Sequence, residues 1–367
     1  MLLYKGSRDQ LLLPLQSVCG IVEKRHTLPI LSNVLIQKTG EELKLLATDI
    51  EIQITTCALG PKGEDSAITV GARKLQDILR SLPEAAEVSL SLDEKRMQLK
   101  AGKSRFNLQT LPAEDFPRMA TSNAQSTRLV VSQKQMKRLL ALVQYAMAQQ
   151  DIRYYLNGLL LVAKGNELRV VTTDGHRLAY VAEKLPETPA PIEVILPRKT
   201  VLELSRQLND SEDPLEITLT PTQACFNFNQ IELVSKLIDG KFPDYERVIP
   251  QHHEKIIKLA REQLLRSLQR VAILTNEKFR GVRLLLGAGS LKIISSNAEQ
   301  EEAQEEIEID YNGEPLDIGF NVSYLLDILN NVPQENIELH LADANSSALF
   351  ILPGHDAFKY VVMPMRI

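Results

Sequence analysis

A single turn of this sequence has the residue types of a hydrolytic site. It reads Thr173, Asp174, Gly175, His176 and Arg177 in succession. An aspartate and a histidine close together can act as an orienting group and a general base, so a hydrolase or nuclease that uses Asp174 and His176 is one interpretation. The alternative is a structural turn, in which the aspartate accepts local hydrogen bonds and the glycine supplies a positive φ angle.

The turn recurs twice in the chain without its histidine. Thr48-Asp49 lies 125 positions before Thr173-Asp174, and Ser296-Asn297 lies 123 positions after it. Ile-Glu follows in the first copy and Ala-Glu in the third, so neither copy keeps the acid–base pair. The sequence also lacks a Walker A motif, a Gly-x-Gly-x-x-Gly motif and a Gly-x-Ser-x-Gly nucleophile motif. We therefore favour the structural turn and predict no catalytic residue.

The elements around these turns repeat with the same period. The first helix pattern of each copy contains a glutamine near its start, at Gln10, Gln135 and Gln263. Ser7 and Ser132 stand three residues before two of these glutamines and are predicted N-caps. Each copy also holds a second helix pattern, near residues 72–79, 197–204 and 321–328, and roughly eight strand patterns. So few helices cannot cover both faces of a sheet, so we predict an α+β fold with two helices on one face of antiparallel sheet in each copy.

Two polar stretches divide the chain into three domains. Residues 120–127 are small and polar, and residues 250–254 form a second polar segment that contains His252 and His253. We predict domains over residues 1–122, 128–249 and 252–367. The two histidines are interpreted as solvated side chains of the second segment, and no metal site is predicted from them.

Composition excludes several classes of protein. The 367 residues are 44% hydrophobic and carry a net charge of −5, with only three cysteines that lie far apart. This excludes a disulfide scaffold and a cysteine-based zinc site, and it suits a reducing cytoplasm. The sequence has no apolar run long enough to span a bilayer and no signal-peptide segment at its start. We predict a cytoplasmic protein without a cofactor, a metal or a membrane contact.

The net charge conceals a separation of positive from negative residues. The predicted helices contain sixteen Lys and Arg against seven Asp and Glu, counted over residues 7–25, 72–82, 132–150, 197–208, 260–278 and 320–331. Lys134 and Arg138 share one helix face, as do Arg266 and Arg270. One interpretation is that helix surfaces simply favour Lys and Arg. The other is a basic helical layer, suited to loose, sequence-independent contact with a phosphate backbone.

Two segments of opposite charge suggest complementary ends. Residues 299–310 are densely acidic, whereas residues 96–108 carry Arg96, Lys103 and Arg105 beside the apolar Phe106 and Leu108. Three similar domains with such ends could close a ring when two chains meet. The apolar tail, residues 360–367, contains a proline that stops strand pairing, so its last residues are expected to leave the sheet.

Several motifs together resemble one known family, the bacterial DNA polymerase III β subunits, or sliding clamps. They span the chain from end to end, at residues 27–31, 151–158, 173–178, 241–245, 276–281, 319–324 and 362–366. The resemblance implies three tandem clamp domains and a head-to-tail homodimeric ring of six such units around duplex DNA. A ring held on DNA by topology would confer processivity without tight binding.

The resemblance also implies residue roles. The DNA contacts would be sequence-independent and come from Arg25, Gln150, Arg153, Tyr154, Tyr155, Arg198 and Lys199. The polymerase catalytic subunit, the clamp loader and repair proteins would bind through short linear peptides, in a cleft formed by Leu156, Thr173, Gly175, His176, Arg177, Leu178, Pro243, Arg247, Val248, Ser347, Val361, Val362, Met363, Pro364, Met365 and Arg366.

The dimer interface implied by the resemblance joins a basic set to an acidic one. The basic set and its apolar neighbours are Lys74, Arg96, Lys103, Arg105, Phe106 and Leu108. The opposing set is Ile273, Leu274, Glu299, Glu301, Glu302 and Glu305. The sequence departs from the family pattern at Gln304, where glutamate is common, and at Ile367, where we expect leucine. A structural scaffold that binds no DNA remains a third interpretation.

Overall fold

The computed structural model describes residues 1–23, 28–93, 96–120 and 125–367. Its contacts group the chain into two compact units. Unit one comprises residues 1–136 and 202–237, and unit two comprises residues 137–201 and 238–367. The middle repeat therefore contributes residues to both units.

Six α-helices lie in the described residues, two in each repeat, as predicted. They are α1 (Arg8–Cys19), α2 (Ala72–Ser81), α3 (Gln133–Val143), α4 (Arg198–Gln207), α5 (Arg261–Val271) and α6 (Val322–Asn331). The hydroxyls of Ser7 and Ser132 accept hydrogen bonds from the backbone N–H groups of Gln10 and Gln135, at 3.4 and 3.1 Å. Both predicted N-caps are confirmed, because these bonds satisfy N–H groups that the first helical turn leaves unpaired.

Each repeat contains eight of the described strands. The first has β1 (Leu2–Ser7), β2 (Asn33–Thr39), β3 (Glu42–Thr48), β4 (Ile52–Leu59), β5 (Ser66–Gly71), β6 (Glu87–Asp93), β7 (Arg96–Ala101) and β8 (Ser104–Pro112). The second has β9 (Thr127–Ser132), β10 (Gly158–Lys164), β11 (Glu167–Thr173), β12 (Arg177–Lys184), β13 (Ile192–Pro197), β14 (Pro214–Leu219), β15 (Gln223–Phe228) and β16 (Ile231–Lys236). The third has β17 (Lys255–Ala260), β18 (Gly281–Gly287), β19 (Ser290–Ser296), β20 (Glu302–Glu308), β21 (Leu316–Asn321), β22 (Asn336–Leu341), β23 (Ala348–Leu352) and β24 (His355–Val362).

All of the strand pairs among the described residues are antiparallel. Unit one holds a twelve-stranded sheet in the order β1-β6-β7-β8-β5-β2-β3-β4-β16-β15-β14-β9. Unit two holds an eight-stranded sheet, β13-β10-β11-β12-β24-β23-β22-β17, and a four-stranded sheet, β20-β19-β18-β21. Strands of different repeats thus pair twice, β4 with β16 and β12 with β24.

The helices pack through apolar faces. In unit one, α1 contacts α2 and the strands β3 and β4. Leu11, Leu15 and Val18 of α1 are fully buried, as are Leu75 and Leu79 of α2. Burial of each such side chain stabilises the fold by about 1.5–3 kcal/mol. This arrangement confirms the predicted α+β class with helices on one face of antiparallel sheet.

The helices of the described residues are all shorter or more polar than a membrane-spanning helix must be.

Candidate functional site

The turn between β11 and β12 is held together by its own aspartate. Oδ1 of Asp174 accepts hydrogen bonds from the backbone N–H groups of His176 and Arg177, at 2.9 and 3.1 Å. In the first repeat, Asp49 accepts the same pair of bonds from the second and third residues after it, at 2.9 and 2.8 Å. Because the first copy forms this turn without a histidine, the geometry favours the structural interpretation of the turn.

A nearly buried arginine ties the turn to its surroundings. Nε of Arg177 donates to Oδ2 of Asp174 at 3.1 Å, and Nη2 donates to the backbone carbonyl of Tyr145 at 2.6 Å. Nη1 donates to Asp327 of α6, and the guanidinium lies 4.5 Å from the ring centroid of Tyr324. The side chain is only 9% exposed. Arg177 therefore fixes the turn to α6 and to the segment that follows α3.

A cavity of about 190 Å³ opens beside this turn in unit two. Ten of the sixteen residues predicted for peptide binding line it, namely Leu156, Thr173, Gly175, His176, Arg177, Leu178, Pro243, Val248, Val361 and Met363. Leu178 of β12 lies opposite Val361 of β24, and both belong to a buried apolar cluster. Apolar walls with a few polar groups at the rim are typical of a site that binds an extended peptide.

Three further residues line the cavity that the prediction did not place there. Arg153 and Tyr155 were predicted to contact DNA, and Tyr245 had no predicted role. Tyr245 stacks on Tyr180, with ring centroids 5.8 Å apart. The motif that contains Tyr245 was recognised in the sequence. Nothing in that motif indicated that the aromatic ring would line a cavity together with Arg177, because 67 residues lie between the two.

The structure does not bring the other six predicted residues to the cavity wall. They are Arg247, Ser347, Val362, Pro364, Met365 and Arg366. Val362 is fully buried, and its neighbour Val361 faces the cavity, so the alternation of a strand points Val362 to the opposite face. Arg247 is a highly exposed residue paired with Asp244 at 2.8 Å. The peptide-binding role of all sixteen residues stays a prediction.

The predicted DNA contacts cluster on the loop after α3 and at the start of α4. Tyr154 is 58% exposed, and its ring packs edge-on against Tyr155 at 5.9 Å. Arg153 pairs with Asp151 at 2.9 Å, and this bond lowers the pKa of the Asp151 carboxyl to about 2. Arg198 donates to the carbonyl of Met147 on the same loop, at 3.3 Å.

Two remaining members of this set lie on the same loop and helix, and the third lies elsewhere in the sequence. Gln150 is exposed and has a φ of 58°. Lys199 lies in the first turn of α4 and is half-buried. Arg25 lies outside the described residues. None of these DNA contacts is tested by the structure.

The predicted interface residues lie on several elements, including the edge strands β8 and β20, the helix α2 and the 3-10 turn after α5. Arg105 is exposed and the half-buried Phe106 and Leu108 follow it on β8, while Ile273 is 78% exposed in a 3-10 turn after α5. Glu305 of β20 already has a partner in the same chain, because Arg270 of α5 donates to its carboxylate at 2.6 and 2.7 Å. This interaction lowers the pKa of Glu305.

The cations that define the predicted basic helix faces are paired. Lys134 lies 3.5 Å from Glu212, Arg138 contacts Glu183, and Arg266 lies 2.8 Å from Glu262. Together with the pair of Arg270 and Glu305, every cation singled out on α3 and α5 has a carboxylate neighbour. The helical layer is therefore less basic than a count along the sequence indicates. Exposed pairs of this kind contribute at most about 1 kcal/mol each and weaken in salt.

Of the two linker histidines, His252 agrees with the prediction of a solvated side chain and His253 does not. His252 is exposed, whereas His253 is half-buried and packs edge-on against His340, with ring centroids 5.7 Å apart. Burial and the neighbouring His340 lower the pKa of His253. The described residues hold no group of three or more His, Cys, Asp and Glu side chains that could bind a metal ion.

A second, smaller cavity lies at the other pairing of two repeats, between β4 and β16 in unit one. Its volume is about 90 Å³, and it is lined by Gln53, Met119, Thr218, Thr220, Gln223, Cys225, Glu232 and Val234. Gln53 lies opposite Val234 here, as Leu178 lies opposite Val361 in unit two. The chain itself enters this site, because the N–H of Met119 donates to Oε1 of Gln53 at 2.9 Å.

Comparison with known proteins finds consistent similarities along the whole chain. Three family models match in succession, the N-terminal, central and C-terminal domains of the DNA polymerase III beta subunit, over residues 4–120, 130–244 and 246–366. The chain is 49% identical to the beta sliding clamp of Pseudomonas putida over 362 residues and 44% identical to that of Escherichia coli K12 over 361 residues, with 98% of each chain covered. A crystal structure of the Pseudomonas aeruginosa clamp bound to griselimycin is 45% identical, with a TM-score of 0.96 and full coverage of both chains.

Proposed function

The chain belongs to the DNA polymerase III β subunit family, the sliding clamps of DNA replication, and we propose that two copies close head to tail into a ring around duplex DNA. Each copy supplies three clamp domains, over residues 1–122, 128–249 and 252–367. The ring tethers the polymerase catalytic subunit, the clamp loader and repair proteins through short linear peptides, and it acts in the cytoplasm.

The observation that carries this proposal is the apolar cavity of unit two. Ten residues from four separate stretches of the sequence converge on it, and they belong to the set that the family resemblance implied. Met363 is 46% exposed at its rim, and a flexible thioether adapts to partners of different shape. A cavity of about 190 Å³ with apolar walls suits anchoring side chains of an extended peptide.

Ring closure is supported by two sheet edges. Among the described strands, β20 pairs with β19 alone, and β8 pairs with β7 over Ser104–Gln109 on one side only. An edge with unpaired N–H and C=O groups can pair with another chain. One edge carries Arg105 and the other the acidic run that includes Glu302, so antiparallel pairing of β8 with β20 of a second copy would also match charges.

The protein works as a tether without chemistry of its own. Both carboxylate oxygens of Asp174 are engaged, Oδ1 by backbone N–H groups and Oδ2 by Arg177, so the carboxylate that would orient the histidine serves the turn instead. Weak, screened contacts between the helices and phosphates would let a closed ring slide. A metal-dependent hydrolytic activity that disappears in both Asp174→Ala and His176→Ala would contradict this assignment.

Retention on circular DNA tests the proposal. The protein is loaded onto a nicked circle by the clamp loader, washed in moderate salt, and the circle is then cut with a restriction enzyme. We expect the protein to stay on circles and to leave after cutting, because a topological link is lost with the circle. Retention on linear DNA would show binding by affinity, and loss from circles despite loading would contradict ring closure.

The ring itself is tested by shortening two side chains of the predicted interface. The double variant Ile273→Ala, Leu274→Ala removes apolar area that a partner would cover. Because Ile273 is 78% exposed in the isolated chain, the variant should fold normally. Sedimentation velocity should then show monomers, and the double variant should not be retained on circular DNA. A dimer of unchanged stability would argue against this interface.

A further inference from the structure

We propose that Gly281 and Gly319 form a seat for Ile367, and that this seat holds the C-terminal segment, residues 363–367, in the position that the cavity requires. The inference rests on the proposed peptide site and adds three positioning residues to it. None of the three lines the cavity.

The C-terminal segment is fastened at two points. The N–H of Met363 donates to the carbonyl of His176 at 2.9 Å, which ties the rim of the cavity to the Thr-Asp-Gly turn. The N–H of Met365 donates to the carbonyl of Gly319 at 2.8 Å, which ties the segment to the edge strand β21. The expectation that these last residues leave the sheet is confirmed, because β24 ends at Val362, and Met365 makes one isolated backbone bond beyond Pro364.

The space beyond Met365 exists because two strand residues have no side chain. A methyl group at Gly319 would lie 2.5 Å from the carbonyl oxygen of Met365 and 2.8 Å from Cδ1 of Ile367. A methyl group at Gly281 would lie 3.0 Å from the same Cδ1. Carbon atoms in contact normally lie about 3.5–4.0 Å apart, so either methyl group would displace the terminal residue.

The middle repeat shows what the seat replaces. There the segment that leaves β16 makes the equivalent bond, from the N–H of Ile238 to the carbonyl of Ile195, at 2.9 Å. A methyl group at Gly158 would lie 3.0 Å from Cδ1 of Ile238, as one at Gly281 does from Ile367. The position of Ile195, whose side chain is buried, corresponds to Gly319 in the third repeat. The exit bond is thus a feature of the repeat, and the missing side chain at Gly319 is specific to the third copy.

The seat acts on the cavity through the short segment between its two fastening points. Met363 lines the cavity and lies two residues before Met365, so displacement of Met365 shifts Met363 as well. Ile367 is still 60% exposed, so its contribution to global stability is small compared with that of a core residue. The expected effect is on pre-organisation of the peptide site, where a loosened wall lowers affinity without loss of the fold.

The experiment measures binding of a fluorescein-labelled short linear peptide of the polymerase catalytic subunit to the full-length protein, by fluorescence anisotropy. We expect Gly319→Ala and Ile367→Gly each to raise Kd by about three- to tenfold. A change of this size corresponds to the cost of ordering one or two loosened side chains of the site when the peptide binds. Ile367→Leu, which keeps the volume, should retain the wild-type Kd.

The matched control is Gly287→Ala, at the other end of β18, where an added methyl group meets no atom within 4 Å. It should leave Kd unchanged. A second readout is hydrogen exchange at the Met365 amide, which should be protected in the wild type and in Gly287→Ala and lose protection in Gly319→Ala.

The outcomes separate the two proposals. If the wild type binds the peptide and both Gly319→Ala and Ile367→Gly bind it equally well, the seat is refuted and the peptide site stands. If Gly319→Ala fails to fold, Ile367→Gly alone decides. If the wild type binds no peptide, the peptide site falls, and the positioning role of the seat falls with it.

Discussion

Strands of different repeats pair at two places in the molecule. The two places share the antiparallel pairing of the backbone but carry different side chains. Gln53 and Val234 occupy the places in unit one that Leu178 and Val361 occupy in unit two. The site in unit one is smaller and polar, and the chain occupies it, since Met119 donates to Gln53 at 2.9 Å.

The difference lies in the exit segment as much as in the lining. In unit one the exit segment of the first domain, which contains Met119, covers the site. In unit two the corresponding exit segment of the second domain lines the cavity with Pro243, Tyr245 and Val248 and leaves it open. The same strand pairing is therefore accompanied by an open apolar cavity in unit two and by a smaller polar site in unit one.

Removal of the C-terminal segment should change the difference between the two sites most, because it affects peptide binding in unit two alone. Deletion of residues 363–367 removes Met363 from the lining of the cavity in unit two, together with its backbone bond to His176, so the Kd for the polymerase peptide should rise by about thirtyfold or more, the size expected for a hot-spot contact. Met119→Ala, a change in the site of unit one, should leave Kd unchanged. A peptide bound equally well by the deletion variant in anisotropy would show that binding occurs elsewhere.

The ion pair behind the cavity should have the next largest effect. At the start of β12 the cavity has Arg177, whereas the start of β4 has the fully buried Ile52. Asp327→Asn removes a charged partner from Arg177 and should lower the free energy of unfolding by about 1–2 kcal/mol, less than for a fully buried pair because Asp327 is 40% exposed. Urea denaturation measures this change.

The control for that variant is Asp317→Asn, which removes the partner of the exposed Arg283. It should change the free energy of unfolding by less than about 0.5 kcal/mol. Equal effects of the two substitutions would mean that Arg177 does not depend on Asp327.

The third residue of the Thr-Asp turn, Gly175 in unit two and Ile50 in unit one, offers a test with a smaller expected effect. Substitution at the two positions should change the free energy of unfolding in opposite directions. Gly175 has a φ of 90°, and its counterpart Ile50 has a φ of 82°, a conformation that strains a β-branched residue. Ile50→Gly should therefore raise the free energy of unfolding by about 1 kcal/mol. Gly175→Ala should lower it, because the methyl group would also lie 2.9 Å from the guanidinium of Arg153. Both changes are read from thermal unfolding. If Ile50→Gly does not stabilise the protein, the strain at Ile50 is contradicted.

The smallest effect concerns a thiol in the unit-one cavity. Burial raises the pKa of Cys225 to about 11, so little thiolate forms at neutral pH. Its rate of alkylation by iodoacetamide, followed residue by residue with mass spectrometry, should rise about tenfold per pH unit between pH 8 and pH 10, because the thiolate fraction rises in that proportion. A rate that levels off below pH 9 would mean that this cavity is more open to water than the structure indicates.

Much of this architecture follows from the spacing of a few residues. The period that links Thr48, Thr173 and Ser296 predicted six helices and roughly eight strands per repeat, because local patterns decide where such elements form. The family motifs predicted ten of the cavity residues. Neither source predicted Asp327, since its contact with Arg177 joins positions 150 residues apart.

Charge was the least predictable property. A count along the helices treats Arg138 and Arg270 as unpaired cations, whereas Glu183 and Glu305 reach them from strands that are distant in the sequence. Strand register likewise decides which of Val361 and Val362 faces the cavity, and register depends on tertiary packing. The seat at Gly319 could be recognised only from atomic distances, because a glycine can occur in a strand for several different structural reasons.

The pairing of β4 with β16 also imposes an order on synthesis. β4 ends at Leu59 and β16 begins at Ile231, so about 170 further residues must leave the ribosome before the twelve-stranded sheet can be completed. At roughly 5–20 residues per second, β4 stays without its neighbour for roughly 9–34 s. During that time the nascent chain presents an unpaired edge that can template wrong pairing with another nascent chain. Slow elongation through the middle repeat would prolong this exposure, so yield in the cell depends on translation speed as well as on the stability of the finished fold.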